Sequence, residues 1–460
     1  MSTPKITRRR FLRTSTTAVG AAVLAACGGA PSANDAAPAA SSAGSSSVGP
    51  TTAAASTEKV VLQVHVHDNH PFDKIKPLFE AKHPNITLNM LKQSDMQAFR
   101  ATLAANGEGT PDLVWPETFD IQDLGKAGVL LDVSDIVDKH KLKLAPGKVA
   151  ECYIPASGHY VAFPGDIATV GIFYREDLMT QAGVTIKDDW TWDEYIEAAT
   201  KVKEATGAYS ALISSKGDDM TSTLWSFMLA QLGGAITNAD GTEITLDNEQ
   251  GIAAALIAKK IWDAQIAIDE GMYQESLFAA IKGNKVAALP APVWYRGYGL
   301  EPNITSPNEG GQGQWRVALL PRPAPGATRT ANLGGASVVS TKYTKYPAEV
   351  KLFMEFALAT MEGATQAGDW GIQPAYLPYL ESDAWSAARS PAFGDFAYNQ
   401  VWAEAAKEYP ATWYKQPVFN EAMQEVGKGL LPIFKGTVEV EPGMKAIGDR
   451  VRDLNKRYQG

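Results

Sequence analysis

The chain has 460 residues, 45% hydrophobic and 20% charged, which is enough for two or three domains, and it holds no run of about 18 apolar residues that could span a bilayer. Its formal charge of −9 hides an asymmetry: Lys5, Arg8, Arg9, Arg10 and Arg13 are the only charges before Cys27, and without them 37 basic residues face 51 acidic ones, a balance of −14. Length and composition exclude a peptide-sized scaffold and an integral membrane transporter, and so acidic a body disfavours nucleic acid as a partner.

The N-terminus has the order of an export signal. A basic stretch, Thr7-Arg8-Arg9-Arg10-Phe11-Leu12-Arg13, precedes small and apolar residues from Ala18 to Ala26, and Cys27 follows. Arg-Arg-x-Phe-Leu-Arg resembles a twin-arginine signal, and Leu24-Ala25-Ala26-Cys27 resembles the lipobox at which bacterial lipoproteins are cleaved and acylated. Residues 1–26 are therefore predicted to be a removable signal peptide and Cys27 a lipidation site. From 28 to 57 nearly every residue is Gly, Ala, Ser, Thr or Pro, a composition that cannot bury a core and predicts a disordered tether of about 30 Å reach. Together these segments predict an extracytoplasmic protein, lipid-anchored to the outer face of the bacterial cytoplasmic membrane. Cys152 is the remaining cysteine, so no intrachain disulfide is expected, and its predicted place is a buried apolar one.

From Glu58 the pattern becomes that of a folded protein. Val60 to Val66 reads as a strand, 72–83 as a helix with apolar residues at Phe72, Ile75, Leu78 and Phe79, and 86–91 as a second strand. A helix over 96–106 and a strand over 112–115 continue an α/β unit with parallel neighbours. An extended segment follows at 162–174, then helices at 191–206, 221–232, 248–266 and 276–282. The first of these opens on Thr191 with Glu194 three residues on, the pattern of a capping box. Short strands are predicted at 286–289, 316–320 and 336–340, a helix at 347–360, and a helical, aromatic stretch after Glu381. Pro- and Gly-rich loops at 302–313 and 321–328 suggest that the chain passes between two lobes more than once.

Searches for catalytic signatures find none. The chain lacks a Walker loop, His-Glu-x-x-His, Gly-x-Ser-x-Gly and Cys-x-x-Cys. No catalytic residue, metal or cofactor is assigned, although abundant carboxylates leave a glycosidase pair open. His65, His67 and His70 surround Asp68 after the first strand, and such imidazoles can contribute to a zinc or copper site. No other His or Cys with ligand spacing lies near, which favours cleft-lining hydrogen-bond donors or solvated side chains.

Several motifs in order carry a family resemblance. They are Pro111-Asp112-Leu113-Val114-Trp115 with Leu124-Gly125-Lys126-Ala127-Gly128-Val129-Leu130, Gly158-His159-Tyr160-Val161-Ala162-Phe163-Pro164, Ile172-Phe173-Tyr174-Arg175, and Leu333-Gly334-Gly335-Ala336-Ser337-Val338. Over about 58–460 the set resembles the extracellular solute-binding proteins of ABC importers, particularly the sugar-binding group that includes maltose-binding protein. Arg175 departs from the asparagine usual there. The resemblance implies an α/β, two-lobed, periplasmic-binding-protein-like fold (type II), with lobe one at 58–166 and 333–378 and lobe two at 167–332 and 379–460. It further implies hinges near Asp166 to Val170 and Thr328 to Leu333, a ligand cleft between the lobes, a monomer, and an ABC permease as partner.

Sugar recognition needs flat aromatic faces against pyranose C–H groups and planar polar side chains for the hydroxyls. Trp115, Trp225, Trp294 with Tyr295, and Trp370 are the aromatic candidates, each with the alternative of a core or interface place. Trp262 and Trp402 are assigned to core. Asp166 at the crossing segment is the leading polar candidate, with a structural ion pair as its alternative. Asp68, Asn69 and Glu117 follow on loops after strands, and Gly334 and Gly335 suit either a close backbone approach to ligand or a hinge turn. The sequence thus predicts a receptor without covalent chemistry that captures a carbohydrate. Rival expectations are the same scaffold with a polyamine, metal chelate or organic acid, a secreted carbohydrate-active hydrolase, or a structural surface lipoprotein.

Overall fold

The computed structural model describes residues 58–66, 71–92, 96–105, 107, 109–410 and 416–458. The predicted signal peptide, Cys27 and the tether lie outside these residues, as do His67, Asp68, Asn69 and His70. Among the described residues no helix is long and apolar enough to cross a membrane.

Strand β1 (Val60–Val66) buries Val60, Leu62, Val64 and Val66 and turns Val61 to solvent, the two-residue period of a half-buried strand. Helix α1 (Phe72–Lys82) joins the same core through Phe72, Ile75 and Phe79, three and four residues apart. It returns the chain to β2 (Ile86–Lys92), parallel to β1 with Ile86 opposite Val60. Helix α2 (Met96–Ala104) then leads to β3 (Leu113–Val114), parallel to β1 on its other edge. Parallel strands require such crossovers, so the alternation legible in the sequence becomes a three-stranded sheet. Helices α3 (Thr118–Lys126) and α4 (Pro146–Glu151) follow.

Short strands β4 (Phe163–Pro164) and β5 (Asp166–Ile167) lead into β6 (Val170–Arg175). Helix α5 (Trp192–Thr206) opens on the predicted capping box, with Glu194 N–H donating to Thr191 Oγ1 at 3.3 Å and Thr191 N–H to Glu194 Oε2 at 2.8 Å. After α6 (Asp219–Gln231), α7 (Glu249–Asp263) and α8 (Glu275–Lys282), strands β7 (Ala288–Pro292) and β8 (Trp315–Leu319) flank β6 antiparallel. The remainder includes β9 (Ser337–Val338), α9 (Pro347–Leu358), α10 (Met361–Trp370), β10 (Gln373–Pro374), α11 (Tyr398–Lys407), α12 (Phe419–Phe434) and α13 (Val440–Asn455). Strand β7 starts and ends later than the sequence suggests, because Pro290 and Pro292 are acceptable on an edge strand. Arg175 N–H donates to Ala287 O and Val293 N–H to Thr169 O, so the bonded positions are odd-numbered and both prolines direct their missing N–H away from β6.

Two large apolar cores result. One gathers the β1 sheet with Tyr295, Trp315, Phe353 and Trp402, and the other gathers Trp192, Trp225, Ile261 and Val451. Strand β6 belongs to both, sending Phe173 into the first and Val170 and Ile172 into the second. The two cores therefore meet at β6. Residues from Leu277 to Ile304 and from Tyr379 to Ala405 contribute to the first core, because they cover the Phe173 face of the β6 sheet. Trp402 is core, as the sequence suggests, and Trp262 is partly buried, stacked on Phe434 with ring centroids 5.5 Å apart.

Between the cores the chain crosses as paired backbone. Thr169 and Asn332 form an antiparallel bridge, with Leu333 N–H donating to Ala168 O and Val170 N–H to Ala331 O, both at 3.1 Å. Strand β10 pairs with β5, and β9 with β4, so 163–170, 331–338 and 373–374 form one bundle of extended segments. In the first core the Phe353 ring stands edge-on to Phe72 and Phe79, with centroids 5.2 and 5.1 Å away. Phe353→Ala is expected to destabilise the protein by about 3–5 kcal/mol, measured by urea unfolding.

Candidate functional site

An aromatic platform lies where the crossing segments meet β7. Trp294 follows the end of β7, Tyr298 stands four residues on in the turn over Arg296–Leu300, and Tyr273 comes from the loop before α8. The Tyr273 and Trp294 rings are parallel within 3°, with centroids 6.2 Å apart, and Tyr298 meets them edge-on at 5.6 and 6.1 Å. Tyr273 and Tyr298 are 47% and 40% exposed, unusual for side chains of this size. The platform is fixed from below. Trp294 Nε1 donates to Leu333 O at 2.8 Å, and the buried Tyr295 hydroxyl donates to Met272 O at 3.1 Å.

Against the indole sits a sharp bend. Gly334 and Gly335 have φ of +99° and +84°, and a Cβ on Gly334 would stand 3.0 Å from Trp294 Nε1. Only glycine meets both the backbone and the space requirement. Next to the bend, Glu117 forms an antiparallel bridge to Ala336 and precedes α3. Asp219 is the first residue of α6. Withdrawal from water raises the Tyr273 hydroxyl pKa, and the negative charges of Glu117 and Asp219 push it the same way. One aromatic surface thus lies within electrostatic reach of carboxylates from two separate elements.

The remaining predicted residues divide. Trp370 ends α10, half-buried, with its carbonyl against Gly297, where a Cβ would come within 2.9 Å, so it adjoins the turn that carries Tyr298. Trp115 is only 6% exposed and packs edge-on against Phe72 and close to Gly165, within the first core. Asp166 is 7% exposed, and its Oδ1 accepts the Ala336 N–H at 3.0 Å, so this carboxylate shapes the glycine bend. Trp225 is a correction to the sequence expectation. It is fully buried in the second core, with Nε1 donating to Gly251 O at 3.0 Å, because α6 is buried all round from Thr221 to Gln231 and leaves no face for a cleft. Tyr295 is corrected likewise, being support beneath the platform. Asp68 and Asn69 lie outside the described residues.

Sequence reasoning missed Tyr273, Tyr298 and Asp219. The four-residue spacing of Trp294 and Tyr298, which puts both on one face of a helical turn, was an available signal. Among the described residues no three His, Cys, Asp or Glu side chains gather as a metal site. Cys152 is buried with its Sγ on Ser337 Oγ at 3.4 Å, and burial pushes its thiol up to about 12, an inert setting. Away from the platform, Lys126 of α3 donates to Gln416 Oε1 at 2.9 Å, linking the first sheet's helices to the segment before α12.

Residues 58–364 match the family model described as bacterial extracellular solute-binding protein. The chain belongs to that family. Among curated relatives, the arabinooligosaccharide-binding protein of Bacillus subtilis is 25% identical over 266 residues, 56% of this chain and 58% of that protein. The chain thus matches somewhat more than half the length of that relative. Solved structures agree on the fold. The binding protein of B. animalis subsp. lactis in complex with β-1,6-galactobiose aligns with a TM-score of 0.70 at 24% identity, covering 86% of this chain and 98% of that one. The galacto-N-biose/lacto-N-biose I-binding protein of Bifidobacterium longum aligns at 0.73 and 20%, covering 88% and 98%. This solute-binding protein therefore has the two-lobed α/β fold expected from its motifs, and its family consists of binding proteins. Gly334→Ala in this solute-binding protein is expected to cost about 1–2 kcal/mol from the left-handed backbone alone. Urea unfolding, together with a red shift of tryptophan emission as Trp294 loosens, checks it.

Proposed function

We propose that the protein is an extracytoplasmic receptor of an ABC importer that captures a mono- or oligosaccharide and delivers it to a permease without covalent chemistry. The observation that carries this reading is the exposed platform of Tyr273, Trp294 and Tyr298 beside the Gly334–Gly335 bend. Aromatic faces suit the C–H surface of a pyranose, and ionised carboxylates accept from neighbouring hydroxyls. Relatives named for arabinooligosaccharide, lactose and maltodextrin, and neighbours solved with β-1,6-galactobiose and lacto-N-biose, support a carbohydrate cargo. Capture proceeds by hinge closure over the crossing segments near 166–170 and 328–333, between lobes at 58–166 with 333–378 and 167–332 with 379–460, the apolar cores being shared across β6. The receptor works as a monomer, tethered through a lipid on Cys27 after twin-arginine export.

A thermal-shift panel of mono-, di- and oligosaccharides tests the cargo. A sugar at a hundred times its Kd adds about 2.7 kcal/mol to the native state and raises Tm, and Trp294→Ala is expected to weaken its binding at least tenfold in titration calorimetry. Because Glu117 and Asp219 both act electrostatically on Tyr273, spermidine belongs in the panel; a shift with spermidine and with no sugar overturns the carbohydrate assignment. Release of product from a bound oligosaccharide would instead make the protein a hydrolase. For the anchor, Cys27→Ala is expected to move the protein from the membrane fraction to the soluble extracytoplasmic fraction, with mass spectrometry showing loss of the diacylglyceryl group.

A further inference from the structure

Beneath the Gly334–Gly335 bend lies a buried charge that is not part of the aromatic platform. Lys148, on α4, is fully buried, and its ammonium donates to Glu151 Oε2 at 2.8 Å, Gly335 O at 2.8 Å and Thr118 Oγ1 at 3.2 Å. Three donors meet three acceptors, so the cation is saturated. Thr118 passes its own hydrogen to Glu151 Oε2 at 2.7 Å. On the other carboxylate oxygen, Glu151 Oε1 accepts from the Tyr409 hydroxyl at 2.9 Å, and that hydroxyl accepts from Asn332 Nδ2 at 2.7 Å. Gly147 lets the Tyr409 ring lie on α4, since a Cβ there would come within 2.7 Å of it. Every proton in this chain has one direction, which requires an ionised Glu151 and a charged Lys148.

The cluster draws residues from four separate stretches of chain: Thr118 of α3, Lys148 and Glu151 of α4, Asn332 and Gly335, and Tyr409. Thr118 adjoins Glu117, Asn332 and Gly335 belong to the 331–338 crossing, and Tyr409 follows α11 on the way to α12. Asp166, from the 163–170 crossing, fixes the other end of the same bend through the Ala336 N–H. A buried ion pair adds little net stability compared with apolar residues of the same size, so stability alone does not explain it. Selecting one arrangement among several is its best-attested use. Here the arrangement is that of two consecutive left-handed glycines, the least restrained residues of the crossing.

We propose that Lys148, Glu151 and Tyr409 are positioning residues for solute binding: they clamp the Gly334–Gly335 bend to the Tyr409 passage, so that closure starts from one fixed hinge geometry. Affinity then depends on three side chains that the solute does not touch. The proposal rests on the receptor reading above only for its binding arm.

The test uses the full chain with two variants, Tyr409→Phe, which deletes one hydroxyl, and the double variant Lys148→Met with Glu151→Met, which replaces the ion pair by apolar groups and avoids stranding a buried charge. Amide hydrogen exchange of the ligand-free protein is expected to quicken at least tenfold in peptides over 331–338 and to stay unchanged over β1 and α13. The sugar giving the largest shift with the wild-type protein is expected to bind at least fivefold more weakly to Tyr409→Phe, with Tm lowered by no more than a few degrees. Exchange over 331–338 within twofold of wild type, or quickened equally everywhere, overturns the clamp. Local quickening with unchanged affinity overturns its role in binding. If no sugar binds the wild-type protein, the receptor reading fails while the exchange comparison still decides whether the clamp exists.

Discussion

Because β6 is buried on both faces, its side chains must satisfy two apolar environments at once, and much of the architecture follows from that constraint. Phe173 packs with Trp402 and Phe393 on one side, while Val170 and Ile172 pack with the helices of the second core on the other. A strand so placed cannot shift register by one residue without exchanging its two sets of neighbours. The segment that enters it, 163–170, and the segment 331–338 that follows its partner β8 are therefore held in a fixed pairing, and the glycine bend and the aromatic platform lie at a defined end of that pairing.

The site is assembled from pieces far apart in the chain, each placed by a different physical cause. Trp294 is aimed by its indole N–H on Leu333 O, and the glycine bend by a carboxylate and an ammonium beneath it. Tyr273 and Tyr298 remain exposed because Tyr295 already occupies the buried place behind them. Rigid support below and open aromatic surface above is a preorganised arrangement, which reduces the ordering cost of binding at this surface.

Legibility of the sequence tracked the range of the interaction responsible. The alternation of Val60, Leu62, Val64 and Val66 and the Thr191–Glu194 capping box depend on neighbours a few residues away, and both stand in the structure where the sequence puts them. Trp225 was misjudged because α6 has no polar face, so periodicity gives no hint of which side could be open. The place of Asp166 was legible, but not the Ala336 N–H that occupies it, since that partner is 170 residues away. Tyr273 sits in a loop whose neighbours, Trp294 and Tyr298, come from a later strand end, and no local pattern announces the encounter. Lys148 and Glu151 read as an ordinary i, i+3 surface pair, and only tertiary burial makes them otherwise.

The two prolines of β7 have a consequence for self-association. An edge strand normally offers a row of N–H donors to any extended chain that drifts past, the start of intermolecular sheet growth. In β7 the donors that would face outward at positions 290 and 292 do not exist, while the odd-numbered positions remain paired with β6. Since Ala288–Pro292 is buried in the native fold, another chain reaches this edge only in a partly unfolded protein, and there it finds acceptors without matching donors, which disfavours recruitment into a cross-β assembly.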